Sequence, residues 1–163
     1  MIRPTSIDEF ERRRRRLPHW EEPGATYFVT VNLQDRGACD LSTPALAQLV
    51  IDALRHFDGS RYHLYDYVVM PDHLHFIIRI PMVEGKSEAL WRIMQSLNGW
   101  TARGINEVLG RTGQLWQHES HDHIVRNRQD FEEKAQYIFA NPLTAGLVDE
   151  TGEWPWWGRG NGE

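Results

Sequence analysis

The stretch Tyr67-Val68-Val69-Met70-Pro71-Asp72-His73-Leu74-His75-Phe76-Ile77-Ile78-Arg79-Ile80 constrains this chain most, because it sets two histidines into what otherwise reads as buried strand. Apolar runs flank Pro71-Asp72, a pair that favours a turn: proline presets its own φ and aspartate bonds nearby backbone. A β-hairpin follows, with arms over 62–70 and 73–80. Side chains alternate along a strand, so Leu74, Phe76, Ile78 and Ile80 share one face while His73, His75, Ile77 and Arg79 share the other. Two residues apart on one face, the imidazoles lie about 6–7 Å apart and can turn towards a shared ion. Taken alone, such a pair is more often two solvent-facing or satisfied strand histidines, since a metal needs further ligands.

The elements around the hairpin are legible from periodicity. Tyr27-Phe28-Val29-Thr30-Val31-Asn32-Leu33 alternates and is rich in β-branched and aromatic residues, which predicts a first strand. Thr43-Pro44 opens a helix whose Leu46, Leu49, Val50, Ala53, Leu54 and Phe57 recur at helical spacing up to Gly59. A second helix opens at Ser87, carries Leu90, Ile93, Met94, Leu97 and Thr101 on one face, and ends at Gly110. Asp122-His123-Ile124-Val125-Arg126 reads as a short strand. Asn127 then caps a third helix from about Arg128 to Ala140, expected to stop at Asn141-Pro142. The order β-α-β-β-α-β followed by a helix predicts an α+β domain: a ferredoxin-like, or RNA-recognition-like, four-stranded antiparallel sheet whose middle strands include the one with the histidines. One sheet face takes two helices and the other is left for the third. Residues 1–25 read as a basic arm, 26–148 as a single domain and 149–163 as a tryptophan- and glycine-rich tail.

Length and composition allow one core in 163 residues, 40% of them hydrophobic. No apolar run approaches the roughly 18 residues of a membrane span, and the single Cys39 excludes an internal disulfide framework, so a cytoplasmic location is expected. A net charge of −5 argues mildly against nucleic acid, but its distribution argues the other way. Sixteen of the 18 cationic residues are arginine, Arg12, Arg13, Arg14, Arg15 and Arg16 are consecutive, and seven tryptophans accompany them. Arginine forks suit phosphate, and aromatics with arginines hold single strands; a solvated arm and core tryptophans account equally well for the composition.

Along the third helix, Phe131, Ala135 and Ile138 make an apolar stripe and Asp130, Lys134, Tyr137 and Asn141 a polar one. A packing tyrosine belongs on the apolar stripe more often. If this helix covers the free sheet face, Tyr137 and Asn141 meet His73 and His75 around one ion, giving a phosphoryl-transfer site in which imidazoles and an amide oxygen hold a divalent cation and a phenolate attacks phosphorus. The ester so formed conserves the bond energy for religation.

The hairpin Tyr67 to His75, the segments Trp116-Gln117 and Asp122-His123-Ile124-Val125-Arg126, and Tyr137-Ile138-Phe139-Ala140-Asn141-Pro142-Leu143-Thr144-Ala145-Gly146-Leu147-Val148 together resemble the REP-associated tyrosine transposases. These are single-tyrosine relatives of the insertion-sequence transposases, within the wider HUH endonucleases. The resemblance spans roughly residues 20 to 150 and rests on the ordered trio of motifs. It implies a nuclease and strand transferase acting on single-stranded hairpin DNA of palindromic repeats, as a monomer or a homodimer. It also implies His73 and His75 as the metal pair, Asn141 completing a site for Mg2+ or Mn2+, and Tyr137 as the nucleophile that forms a 5′-phosphotyrosine bond. Thr144 stands where the family usually has a basic residue, and DNA binding is expected to lean on Arg12 to Arg16, Arg103, Trp116, Arg126 and Arg128.

Alternatives stay open at this point. His121-Asp122-His123 is a second His-x-His; Trp116 caps the core or stacks on a base; Asp72 orients a histidine or only makes the turn, the turn being favoured. A domesticated, non-catalytic single-strand-binding protein of the same fold and a metal nuclease using water in place of Tyr137 are the competing functions.

Overall fold

A computed structural model describes Trp20 and residues 23–161; the arginine run Arg12 to Arg16 and most of the basic arm lie outside the described residues. The elements are β1 (Gly24–Asn32), α1 (Pro44–His56), β2 (His63–Val69), β3 (His73–Pro81), α2 (Leu90–Leu109), β4 (His121–Val125), α3 (Arg128–Thr144) and β5 (Trp157–Arg159). All strand pairs are antiparallel, in the order β4-β1-β3-β2-β5. The α+β class, the element order and the central position of β1 and β3 are as the periodicity predicts.

The expected four-stranded sheet has a fifth strand, and the expected tail supplies it. Asp66, Tyr67 and Val68 of β2 pair with Arg159, Gly158 and Trp157. The Trp154 indole N–H donates to Val69 O at 2.9 Å and the Val69 N–H donates to Trp156 O at 2.9 Å. Arg159 Nε lies 3.5 Å from the fully buried Asp66 carboxylate, so the chain end is fixed by charge as well as by ladder bonds. This covers an edge of the sheet that would otherwise present unpaired backbone.

Alternation sorts the sheet residues into two layers. Val29, Val31, Leu33, Leu74, Phe76, Ile78 and Ile80 pack under α1 and α2, whose buried stripes include Leu46, Val50, Leu54, Ile93, Leu97 and Ile105. Phe28, Val68, Ile77, Val125 and Trp157 pack under Phe131, Ala135, Ile138 and Phe139 of α3. A bulge between Leu64 and Tyr67 shifts the phase of β2, so that Leu64 and Tyr67 reach the first layer while Tyr65 and Val68 reach the second. Each fully buried side chain such as Phe131 contributes about 1.5–3 kcal/mol, which presses α3 onto the histidine face.

Some helix ends follow local chemistry and others do not: α2 opens at Leu90 and not at the expected Ser87, and neither Ala89 before it nor Thr43 before α1 makes a side-chain cap bond. Gly110, at φ 63°, ends α2 in the left-handed conformation that glycine adopts without steric cost, and Asn127 caps α3 by accepting the Asp130 N–H at 2.9 Å. Pro142, expected to stop α3, instead lies inside it. Proline removes only its own hydrogen bond here, near the end of the helix, and both Asn141 and Pro142 are buried. The helix therefore runs on to Thr144, and Asn141 keeps helical geometry one turn beyond Tyr137.

Candidate active site

β3 is paired on both sides, which fixes where its histidines point. Asn32 pairs with His73 and Thr30 with His75 across β1, while Val68 pairs with His75 across β2. Cross-strand partners share a face, so Thr30, Asn32, His73 and His75 all look towards the α3 side. The two imidazole rings stand 4.7 Å apart, nearly perpendicular. His75 is stacked on Phe28 at 5.3 Å and meets the edge of Tyr137 at 5.4 Å, and Tyr137 also meets the edge of Phe28 at 6.1 Å.

Each imidazole is held through Nδ1. His75 Nδ1 lies 2.8 Å from Thr30 Oγ1, and His73 Nδ1 lies 2.6 Å from Asp72 Oδ1. The Asp72 carboxylate can only accept, so His73 Nδ1–H donates to it, and where His75 Nδ1–H donates to Thr30 Oγ1 the His75 Nε2 keeps a lone pair. That is how a histidine ligand is commonly oriented, the second nitrogen being committed to an oxygen acceptor. His75 Nε2 is buried and has no hydrogen-bond partner among the described residues, a group that normally finds one. Burial, helped by the neighbouring His73, pushes the His75 pKa down to about 3, so the ring is neutral at physiological pH.

Asp72 is more than a turn residue. Its carboxylate accepts from His73 and from Arg36 Nη1 at 3.1 Å, while Arg36 Nη2 donates to Asn32 Oδ1 at 3.0 Å. Burial pushes its pKa up, but the His73 and Arg36 hydrogen bonds outweigh this and hold it below the usual carboxylate range. A chain Arg36–Asp72–His73 thus braces one imidazole, and Thr30 braces the other. Thr30 and Arg36 escaped the sequence reading because nothing local links them to β3; only the β1–β3 register does.

Tyr137 is half exposed, at 51%, on the polar stripe of α3, with its ring against His75 and its outer side open to solvent. Asn141 follows one turn later and is buried. Among the described residues no group of three or more His, Cys, Asp or Glu side chains is arranged to hold a metal ion. A divalent cation at this place would therefore rest on two imidazoles with an amide oxygen, water and phosphate. That donor set fits Mn2+, and Mg2+ where water and phosphate oxygens complete an octahedron. The orphaned His75 Nε2 agrees with such a ligand role.

The other candidates divide. Arg126 and Arg128 are exposed at the start of α3, on the histidine side, Arg128 paired with Glu132 at 3.1 Å. Arg103 is exposed on α2, so the sheet lies between it and the histidines. Trp116 is a correction: it is 5% exposed and its indole N–H donates to Thr101 Oγ1 at 2.9 Å, which makes it a core residue under α2 with no open ring face for a base. His121 and His123 are exposed on the edge strand β4, opposite Thr30 and Phe28, and are not beside Tyr137 in any ring contact among the described residues.

Two orienting oxygens, two adjacent imidazoles and a half-exposed phenol make this a site of the single-tyrosine, paired-histidine kind. In sequence and fold the chain resembles the REP-associated tyrosine transposases. The REP-associated tyrosine transposase of Escherichia coli strain K12 is 29% identical over 133 residues, covering 81% of this chain and 74% of that relative. A structure of a REP-associated tyrosine transposase bound to a REP hairpin matches with a TM-score of 0.64 at 26% identity, covering 82% of this chain and 76% of that one. A crystal structure from Deinococcus radiodurans, provisionally named a transposase, shares the fold with a TM-score of 0.52 at 18% identity over 75% of this chain and 94% of that one. No family model matches the chain.

Proposed function

We propose that this chain is a divalent-cation-dependent single-stranded DNA endonuclease and strand transferase that acts on hairpin DNA through a covalent 5′-phosphotyrosine. The observation that carries the reading is the contact of a half-exposed Tyr137 with His75, a buried neutral imidazole whose Nε2 has no partner among the described residues. The relative bound to a REP hairpin supports hairpin DNA as the substrate class. Among the described residues no helix is long and apolar enough to cross a membrane.

In this mechanism Tyr137 Oη attacks the scissile phosphorus. The Oη–P bond forms as the P–O3′ bond breaks, the phenol proton passes to solvent, and the departing 3′-oxygen takes one up. Reversal by a 3′-hydroxyl rejoins the strand with no outside energy, because one phosphodiester replaces another. His73, His75 and Asn141 would hold Mg2+ or Mn2+, which supplies Lewis-acid polarisation of the phosphate when bound. Phe28 and Thr30 fix the His75 ring, Asp72 fixes His73, and the packed stripe of α3 sets the height of the phenol over the sheet. The strand order and the helix after β4 support a ferredoxin-like class for the domain, with the nucleophile on the added helix.

The test is a denaturing gel of the protein with labelled single-stranded hairpin DNA from its own genomic neighbourhood, in Mg2+ or Mn2+, beside Tyr137→Phe and His73→Ala. A slow-migrating covalent band lost in both variants is expected. Cleavage that survives Tyr137→Phe makes water the nucleophile, and binding without cleavage makes the chain a non-catalytic hairpin binder.

A further inference from the structure

We propose that Lys134 is a catalytic residue of this site, its ammonium neutralising a non-bridging oxygen of the scissile phosphate as Tyr137 attacks; this rests on the transesterase reading above. Lys134 lies three residues before Tyr137 on α3, a spacing that puts the two side chains on one helix face. Its Nζ is 5.6 Å from the centroid of Phe28, the same ring on which His75 is stacked and which Tyr137 meets edge-on. One aromatic floor therefore gathers an imidazole, a phenol and an ammonium.

The charge on Lys134 is uncommitted. The side chain is part-buried, yet among the described residues it makes no hydrogen bond or ion pair. The acids near it on α3 are engaged elsewhere: Glu132 with Arg128, Glu133 with Gln129 Nε2 at 3.4 Å, and Asp130 with the Arg126 N–H at 3.3 Å. A cation held away from its nearest acids and beside a nucleophile calls for an outside anion, and a phosphodiester arriving at Tyr137 is that anion. Lysine suits the role because it is a compact point charge that rests on a ring face without needing the planar fork geometry of arginine. It is one of only two lysines in a chain whose other 16 basic residues are arginine. Two negative charges build on the phosphoryl oxygens in the transition state, so a cation there accelerates the step more than it tightens ground-state binding.

A merely structural lysine would anchor α3 through the Phe28 ring, and its loss would lower stability while leaving the chemistry alone. Single-turnover cleavage of labelled single-stranded hairpin DNA at saturating full-length protein separates the two, for wild type, Lys134→Met, Lys134→Arg and Tyr137→Phe, with Kd and melting temperature measured alongside. The expected result is adduct formation slowed at least about tenfold in Lys134→Met, with Kd within about threefold, as for loss of a single phosphate contact, an unchanged melting temperature, and most of the rate restored in Lys134→Arg. Wild-type rates in Lys134→Met, or a loss confined to Kd or to melting temperature, overturn the assignment of Lys134 while leaving the tyrosine mechanism standing. Absence of any Tyr137-dependent adduct in the wild type overturns the transesterase reading itself, and the role of Lys134 with it.

Discussion

Replacing Thr30 by valine removes one hydroxyl and keeps the side-chain shape. In the native site Thr30 Oγ1 is 2.8 Å from His75 Nδ1, and His75 is only 5% exposed. Valine fits a strand at least as well as threonine, so the backbone has no reason to move. What changes is His75, whose buried Nδ1 loses its partner where water cannot reach. An unsatisfied buried polar group of this kind costs about 1–3 kcal/mol. For a chain of this length each kcal/mol is worth about 2–4 °C, so the melting temperature should fall by about 2–12 °C. The ring also loses its orientation, and disturbing the group that orients a histidine ligand typically costs about 10–100-fold in metal affinity or activity. Differential scanning calorimetry and Mn2+ titration calorimetry on Thr30→Val and Thr30→Ser read both effects. Serine, which keeps the hydroxyl, should recover most of each. Thermal stability and Mn2+ affinity equal to wild type in Thr30→Val would refute the idea that this hydroxyl sets the His75 ring.

Four other outcomes follow from particular contacts. Asp72→Asn should weaken Mn2+ binding by about tenfold or more, because the amide is a poorer acceptor for the His73 N–H; titration calorimetry measures it. Arg159→Met strips the cation from the fully buried Asp66 and should cost about 3–5 kcal/mol in urea unfolding, as loss of one partner of a buried pair does. Gly24→Ala should be destabilised by about 1–3 kcal/mol in the same assay, since φ is 131° and a Cβ would stand 2.6 Å from Ile80 O. The Arg61 hydrogen bonds hold the Glu88 carboxyl below its usual range, so this pair stabilises the fold above the unfolded value and the contribution is lost as pH falls through the folded one; Glu88→Gln should flatten that acid limb by about 0.5 kcal/mol, the pair being near the surface.

The parts of the fold legible in the sequence are those that carry a period. Alternation placed His73 and His75 on one face of β3, and the two stripes of α3 placed Tyr137 on the polar one, where it meets His75. β5 was not legible, because three residues, Trp157-Gly158-Arg159, are too short to show alternation and sit among turn-forming glycines. Pro142 read as a stop because the local preference is real, and the burial of Asn141 and Pro142 overrode it. Trp116 read as core cap or stacking surface, the core being favoured, and its indole N–H bonded to Thr101, 15 residues away, puts it in the core. Thr30 belongs to the site through a register 45 residues apart, a contact that only the paired sheet creates.

The central claim is that Tyr137 takes the DNA phosphate. Mass spectrometry of the trapped reaction tests it most directly: after cleavage of labelled single-stranded hairpin DNA in Mn2+, nuclease trimming and trypsin, the peptide from Ala135 to Arg159 should carry a nucleotide 5′-phosphate on Tyr137. The same peptide from Tyr137→Phe should be unmodified, with no cut DNA. Cut DNA with every tyrosine unmodified, or a nucleotide on any other residue, would contradict the account.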